Sequence, residues 1–248
     1  MSETFFISDC HLGATYINNP RAHERAITRW LETIAPDAKA LFLLGDIIDY
    51  WFEYRHVVPR GYTRFFGALA SLADSGVDIT WMRGNHDIWL FDYLAGEIGL
   101  TVADGVITTT IDSRRFVLSH GDGIDCRSTM FKVLRSMFRN PTLQKLYAAI
   151  HPRWTVGFAH AWSSHNRLHG HDELITTLPP DDSFVRFAEH YQRTNPPADF
   201  FVFGHRHIAI DQPGPDKSRI IVLGDAFRQF TFGRFDGRQF HLEKFPAF

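Results

Sequence analysis

Short apolar runs, each ended by small polar residues, alternate with segments of helical period over the first hundred positions. Thr4-Phe5-Phe6-Ile7-Ser8 predicts a strand that stops at Asp9, and Ala40 to Leu44 predicts a second that stops at Gly45-Asp46. Between them, Ile27, Trp30, Leu31 and Ile34 share one face of a helix over 22–34. Phe65, Phe66, Leu69, Leu72 and Ala73 do the same over 62–75, with Gly76 as the stop. Asp78 to Met82 predicts a third strand, ending at Gly84-Asn85-His86-Asp87. Beyond it the pattern turns mainly to strands, at 105–111, 115–119, 199–203 and 219–223, and to a hairpin over 229–245 turning at Asp236-Gly237. Alternation followed by successive strands predicts an α/β layered sandwich with mixed sheets, a single domain over 1–248.

One stretch breaks the rhythm. From Arg127 to His171 there is no Asp or Glu, yet Arg127, Lys132, Arg135, Arg139, Lys145, Arg153 and Arg167 fall there among many aromatic and aliphatic residues. Phe131, Leu134 and Phe138 are helically spaced, as are Leu143, Leu146, Tyr147 and Ile150, and Asn140-Pro141 would separate the helices they predict. The expectation is a helical insertion over 127–171 that caps the sandwich. The plainer alternative is a helix pair packing its aromatics on the sandwich with solvated basic faces.

A chain of 248 residues can bury a core without disulfide or metal staples. Its 44% hydrophobic and 22% charged content excludes disorder, collagen and coiled coil. No apolar run approaches the ~20 residues of a membrane span. Two cysteines, Cys10 and Cys126, argue against a disulfide framework. Met1-Ser2-Glu3 lacks the basic-then-apolar pattern of a secretory signal, which predicts a cytoplasmic chain. A net charge of −2 does not suit a dedicated nucleic-acid binder, despite the basic insertion. Two excesses stand out: 14 His, which point to metals or acid–base chemistry, and 23 Phe, which point to an aromatic core or a greasy ligand.

Five polar clusters sit where strands end: Asp9-Cys10-His11, Gly45-Asp46, Gly84-Asn85-His86-Asp87, His120-Gly121-Asp122 and Gly204-His205-Arg206-His207. Loops at one sheet edge let a rigid scaffold converge side chains from distant sequence. Carboxylate, imidazole and amide oxygen are ligands that divalent ions accept. Singly, each cluster is the kind of triplet that decorates surface turns; five in this order define a site. Cys10 reads as a passenger, and histidines outside the clusters, His23 among them, as structural or surface residues.

The ordered set resembles the calcineurin-like metallophosphoesterases, whose motifs read D-x-H, G-D, G-N-H-D, H and G-H-x-H. The resemblance spans Asp9 to His207. It implies a four-layer αββα sandwich and two divalent ions, manganese first, with iron or zinc as alternatives. Asp9, His11 and His207 would hold one ion, Asn85, His120 and His205 the other, and Asp46 would bridge them. Such a pair lowers the pKa of a shared water toward 7 and so supplies hydroxide for attack on phosphorus. His86 would protonate the leaving oxygen or steady the transition state, with Asp87 fixing its tautomer.

Within that superfamily the chain looks most like the bacterial UDP-2,3-diacylglucosamine pyrophosphatases of lipid A biosynthesis. The length, Leu44-Gly45-Asp46-Ile47-Ile48-Asp49-Tyr50-Trp51, the insertion and Val222-Leu223-Gly224-Asp225 carry that likeness. It implies hydrolysis of a UDP-linked glycolipid to UMP and 2,3-diacylglucosamine 1-phosphate at the cytoplasmic face of the inner membrane. The insertion would cover the site and help hold acyl chains, with Arg135, Arg139, Phe138 and Trp154 as candidate substrate residues. His86 is a departure, because the principal pyrophosphatase group reads G-N-R-D. A soluble phosphodiesterase or a Ser/Thr-type protein phosphatase of the same fold is the alternative enzyme; a nucleic-acid-binding protein or a non-catalytic scaffold is the alternative outside catalysis.

Overall fold

The computed structural model describes residues 2–125, 129–152, 154–155 and 175–246. Expectations for Cys126, Arg127, Arg153 and Arg167 fall outside the described residues. The first half builds β1 (Glu3–Ile7), α1 (Pro20–Ile34), β2 (Ala38–Leu43), α2 (Thr63–Asp74), β3 (Asp78–Met82), α3 (Tyr93–Ile98), β4 (Thr101–Ala103), β5 (Val106–Ile111) and β6 (Arg114–Ser119). There follow α4 (Thr129–Arg139), α5 (Pro141–Ala148), α6 (Ser183–Thr194), β7 (Phe200–Phe203), β8 (Ala209–Pro213), β9 (Arg219–Leu223), β10 (Thr231–Phe235) and β11 (Phe240–Lys244).

Two mixed sheets result, ordered β11-β10-β1-β2-β3-β4 and β5-β6-β7-β9-β8. β1 to β4 run parallel, as do β6, β7 and β9. β1, β7 and β9, and the C-terminal halves of β2 and β6, bury both faces, which is why they read as continuous apolar runs, whereas the edge strand β4 stays partly exposed. The inner faces meet in an aromatic core: Phe6 stacks on Phe42 and Phe116 at 5.3 and 5.7 Å, and Phe116 on Phe200 at 4.6 Å. Many of the phenylalanines are thereby placed between the sheets. α1, α2 and α3 cover the outer face of the first sheet through Ile27, Trp30, Leu31, Phe65, Leu69 and Leu94. α6 covers the second through Phe184 and Ala188. The layers are therefore αββα.

α1 starts two residues before the predicted helix because Asn19 caps it, accepting from Ala22 N, and Pro20 suits the first turn. α6 is absent from the sequence reading altogether. α4 and α5 break at Asn140, whose Oδ1 caps α5 by accepting from Thr142 N and Leu143 N. This helix pair lies on a second aromatic cluster outside the sandwich, made by Tyr50, Phe52, Ile88 and Trp89. Tyr147 stacks on Trp89 at 5.2 Å, and Trp89 Nε1 donates to the Phe138 carbonyl. The hairpin of β10 and β11 turns at Asp236-Gly237, where Asp236 accepts from Arg238 N and Gln239 N.

Phe116 is fully buried among neighbouring rings. Phe116→Ala is expected to lower the unfolding free energy by about 3–5 kcal/mol in a urea titration, whereas exposed Val106→Ala should change it by less than about 0.5 kcal/mol.

Candidate metal centre

β1, β2, β3, β6 and β7 deliver their C-terminal loops to one end of the sandwich, and hydrogen bonds sew those loops together. Asp9 N donates to Gly45 O, His11 N to Asp46 O, and Gly204 N to His120 O. Across the two sheets, His205 N donates to Asp9 Oδ2 at 2.9 Å, and His120 Nδ1 lies 2.8 Å from Leu44 O. Gly45 is required where it stands: its φ is +86°, and a Cβ there would lie 2.6 Å from His120 Nδ1.

Seven side chains converge. His207 Nε2 is 3.3 Å from Asp9 Oδ1, and the His207 and His11 rings stack at 5.1 Å. His120 Nε2 is 3.1 Å from Asn85 Oδ1, and its ring lies 5.2 Å from that of His205. Asp46 sits between these groups, with Oδ2 3.7 Å from His11 Nε2 and 3.4 Å from His120 Nε2. Asp9, His11, Asp46, His205 and His207 all hold positive φ, between 45° and 73°. So many non-glycine residues in the left-handed region at one place is backbone strain concentrated at a functional centre.

The donor set fits cations. Three triplets bring one ligand atom per residue within 4.8 Å of one another: Asp9, His11, His207; His11, Asp46, His86; and Asp9, Asp46, His120. Asp9 Oδ1 is buried and accepts no hydrogen bond. The electrostatics point the same way. Burial, reinforced by Asp46, pushes Asp9 up to about 7 although His120 pulls it down. Burial works against a charged His120 too, but Asp46 and Asp9 raise it to about 10. Burial opposes ionisation of Asp46, yet His120 and His86 hold its carboxyl well below the ordinary range. Burial and the His120 charge drop His205 to about 4. The cluster thus keeps protons where a divalent ion would supply the positive charge.

His86 and Asp87 need correction as a pair. Asp87 does not orient His86. Its Oδ1 accepts from Gly84 N and Asp46 N, and its Oδ2 from Ile47 N and Trp81 Nε1, so it braces the two loops from beneath. Neighbours on an irregular turn point apart, and Asp87 points into the core. The residue on His86 is Asp49: His86 Nδ1 lies 3.0 Å from the Asp49 carbonyl oxygen and 3.5 Å from its Oδ1. The same Oδ1 is 3.1 Å from His11 Nδ1. Asp49 lies three residues beyond Asp46 in the second motif's loop, but its inward turn carries no mark in the sequence. His23 is structural, its Nε2 2.7 Å from Cys10 O.

The expected substrate residues do not gather at the seven. Arg135 donates to Asp122 at 2.7 Å, and Arg139 reaches Asp122 and Asp104 at 3.2 Å. With no acid in the segment 127–171, Arg135 and Arg139 find their counter-charges on the sandwich. Phe138 packs on Trp89 at 5.4 Å. Trp154 is 70% exposed, and Met130, Val133 and Met137 of α4, Leu146 of α5 and Ile150 just beyond α5 are exposed as well.

The family profile of the calcineurin-like phosphoesterases matches residues 4–209. A UDP-2,3-diacylglucosamine hydrolase of Porphyromonas gingivalis is 42% identical, with 98% of this chain and 97% of that protein covered. A protein of the same description from Stenotrophomonas maltophilia is 27% identical, with 97% of each covered. Among solved structures, a dimetal phosphatase from Danio rerio aligns over 99% of each chain at 15% identity and a TM-score of 0.48.

Ion binding must displace protons from Asp9 and His120, so affinity should rise with pH. Near pH 8, below the His120 value of about 10 and above the Asp9 value of about 7, one proton leaves; near pH 6, two leave. Calorimetric titration of metal-free protein with Mn²⁺, in buffers of different ionisation enthalpy, should therefore show proton release that grows as pH falls from 8 to 6.

Proposed function

The chain belongs to the calcineurin-like phosphoesterase family and is a hydrolase of that family, and from this premise we propose that it cleaves the pyrophosphate of a UDP-linked diacylglucosamine. The products are UMP and 2,3-diacylglucosamine 1-phosphate. The observation that carries the reading is the near full-length 42% identity to a UDP-2,3-diacylglucosamine hydrolase, joined to a site that gathers two buried aspartates, one amide and four imidazoles.

We assign Asp9, His11 and His207 to one divalent ion, Asn85, His120 and His205 to a second, and Asp46 to both. Bound there, the ions supply Lewis acidity: they polarise the phosphoryl oxygens and acidify water. Manganese is the ion we favour from the family resemblance, the mixed nitrogen and oxygen donors suiting iron or zinc equally. His86 serves as general acid. Its Nδ1 is held by the Asp49 carbonyl, which leaves Nε2 to deliver a proton to the departing sugar-phosphate oxygen. The Asp49 carboxylate, 3.5 Å from the same Nδ1, helps fix the ring in that orientation.

The described part of the insertion, α4, α5 and Trp154, has two faces in this reading. Phe138, Tyr147, Arg135 and Arg139 dock it on the sandwich, and the exposed Met130, Leu146 and Trp154 remain for lipid. Acyl chains, or the inner-membrane surface that presents them, are the apolar partners that a basic helical segment beside a phosphoester site suits. Among the described residues no helix is long and apolar enough to cross a membrane.

Purified protein with Mn²⁺ and UDP-2,3-diacylglucosamine should release UMP, followed by mass spectrometry, and Asp46→Ala should release none. Hydrolysis of a chromogenic diester without any UMP would leave a soluble phosphodiesterase. On the cap, Leu146→Ser combined with Met130→Ser should raise KM for the diacylated substrate about tenfold or more, since each lost apolar contact removes on the order of 1–2 kcal/mol. Turnover of a small chromogenic diester should not change.

A further inference from the structure

The motif Gly204-His205-x-His207 leaves its third position unspecified, and here it is Arg206. Its side chain turns away from the two histidines and 12% of it is exposed. Three of its nitrogens are engaged. Nε and Nη2 grip Asp125 as a fork at 2.9 and 2.7 Å, Nη1 donates to Asp182 at 2.6 Å, and Nη2 also donates to Ser183 Oγ at 2.6 Å. The guanidinium lies 4.2 Å above the ring of Phe184, which itself stacks at 4.4 Å on Phe203, the last residue of β7.

Those contacts join three segments. Asp125 closes the turn that follows His120, its N donating to Gly121 O. Asp182 caps α6, its Oδ1 accepting from Phe184 N. Arg206 itself separates His205, at φ 73°, from His207, at φ 55°. Backbone held in the left-handed region persists only where surroundings over-determine it. His207 has further restraints: its carbonyl accepts from Gln229 Nε2 and its ring stacks on His11. Between His205 and His120 the β6–β7 pairing ends at Ser119 and Phe203, one and two residues short of the ligands. Beyond it the Gly204 N to His120 O bond and the guanidinium carry the spacing, with His205 N also tied to Asp9 Oδ2.

We propose that Arg206 is a positioning residue that sets the spacing of His120 and His205, and with it the affinity of the ion those two imidazoles hold. The proposal rests on the two-ion reading above. Lysine cannot replace the arginine, because a point charge cannot fork onto Asp125 and reach Asp182 together. Partners that orient metal ligands typically control affinity by about 10–100-fold.

The test is an equilibrium titration of metal-free protein with Mn²⁺, free ion being read by electron paramagnetic resonance, alongside urea unfolding of the same metal-free samples. Wild type should bind two ions. Arg206→Lys should keep one at wild-type affinity and bind the other about 10–100-fold more weakly. Asp125→Asn, which leaves Arg206 on Asp182 and Phe184, should weaken the same ion by a smaller factor, and it decides the matter where Arg206→Lys does not fold. A bracing role alone would shift the urea midpoint and leave both affinities at wild type, which overturns the proposal. Wild-type protein that binds no ion would instead overturn the two-ion reading on which it stands.

Discussion

Two carboxylates, Asp9 and Asp46, are buried within a few ångström of each other, and water cannot reach them to spread their charge. Everything around the site answers that constraint. Four imidazoles face them from three loops, backbone N–H groups of His205 and His86 donate to them, and Asp87 holds the surrounding turns so that they cannot retreat. Removing an unpaired charge from water costs several kcal/mol even after relaxation. The arrangement is therefore costly to an apoprotein and comfortable for one that captures cations. Strained backbone at five of the seven residues is a further sign that ligand geometry was kept at the expense of local comfort.

Much of this was readable in the chain because parallel strands buried on both faces leave an unmistakable apolar run, and the chemistry sits at the residue where each run stops. β1, β2, β3, β6 and β7 are of this kind. The reading failed where function depends on direction rather than identity. Asp87 follows His86 in sequence, yet its carboxylate belongs to the core, and the carboxylate beside His86 comes from Asp49, 37 positions earlier. Arg206 was legible only as the filler of a motif. α6 escaped for another reason: Phe184, Phe187 and Tyr191 keep helical spacing, but the charged residues among them and the prolines before them look like loop.

The insertion obeys a simpler electrostatic rule. A segment with cations and no acids must borrow carboxylates, and Asp104 and Asp122 are lent from either side of the second sheet's first hairpin. Asp122 lies two residues after His120, so the attachment of the cap and the placement of a ligand imidazole share one turn. The aromatic platform of Trp89 adds shape to this charge pairing, and its own position two residues beyond Asp87 ties the cap to the third motif as well.

The pairing of β1 with β10 has a consequence for the order of events at birth. Thr4 is registered against Phe235, and the carbonyl of Asp9 receives a hydrogen bond from Ala226 N. The first of the five motifs is thus among the last to be finished, because β10, the neighbour of β1 on one side, is made only after all five motifs have left the ribosome. Until then Asp9 and His11 wait on an open sheet edge, with the paired β2 as their only strand partner. Contacts so distant in sequence are slow to form. The nascent chain can assemble α1, α2 and the parallel part of the first sheet early, but β1 gains its second neighbour, and the Asp9 carbonyl its hydrogen bond from Ala226 N, only after the last of the five motifs has been made.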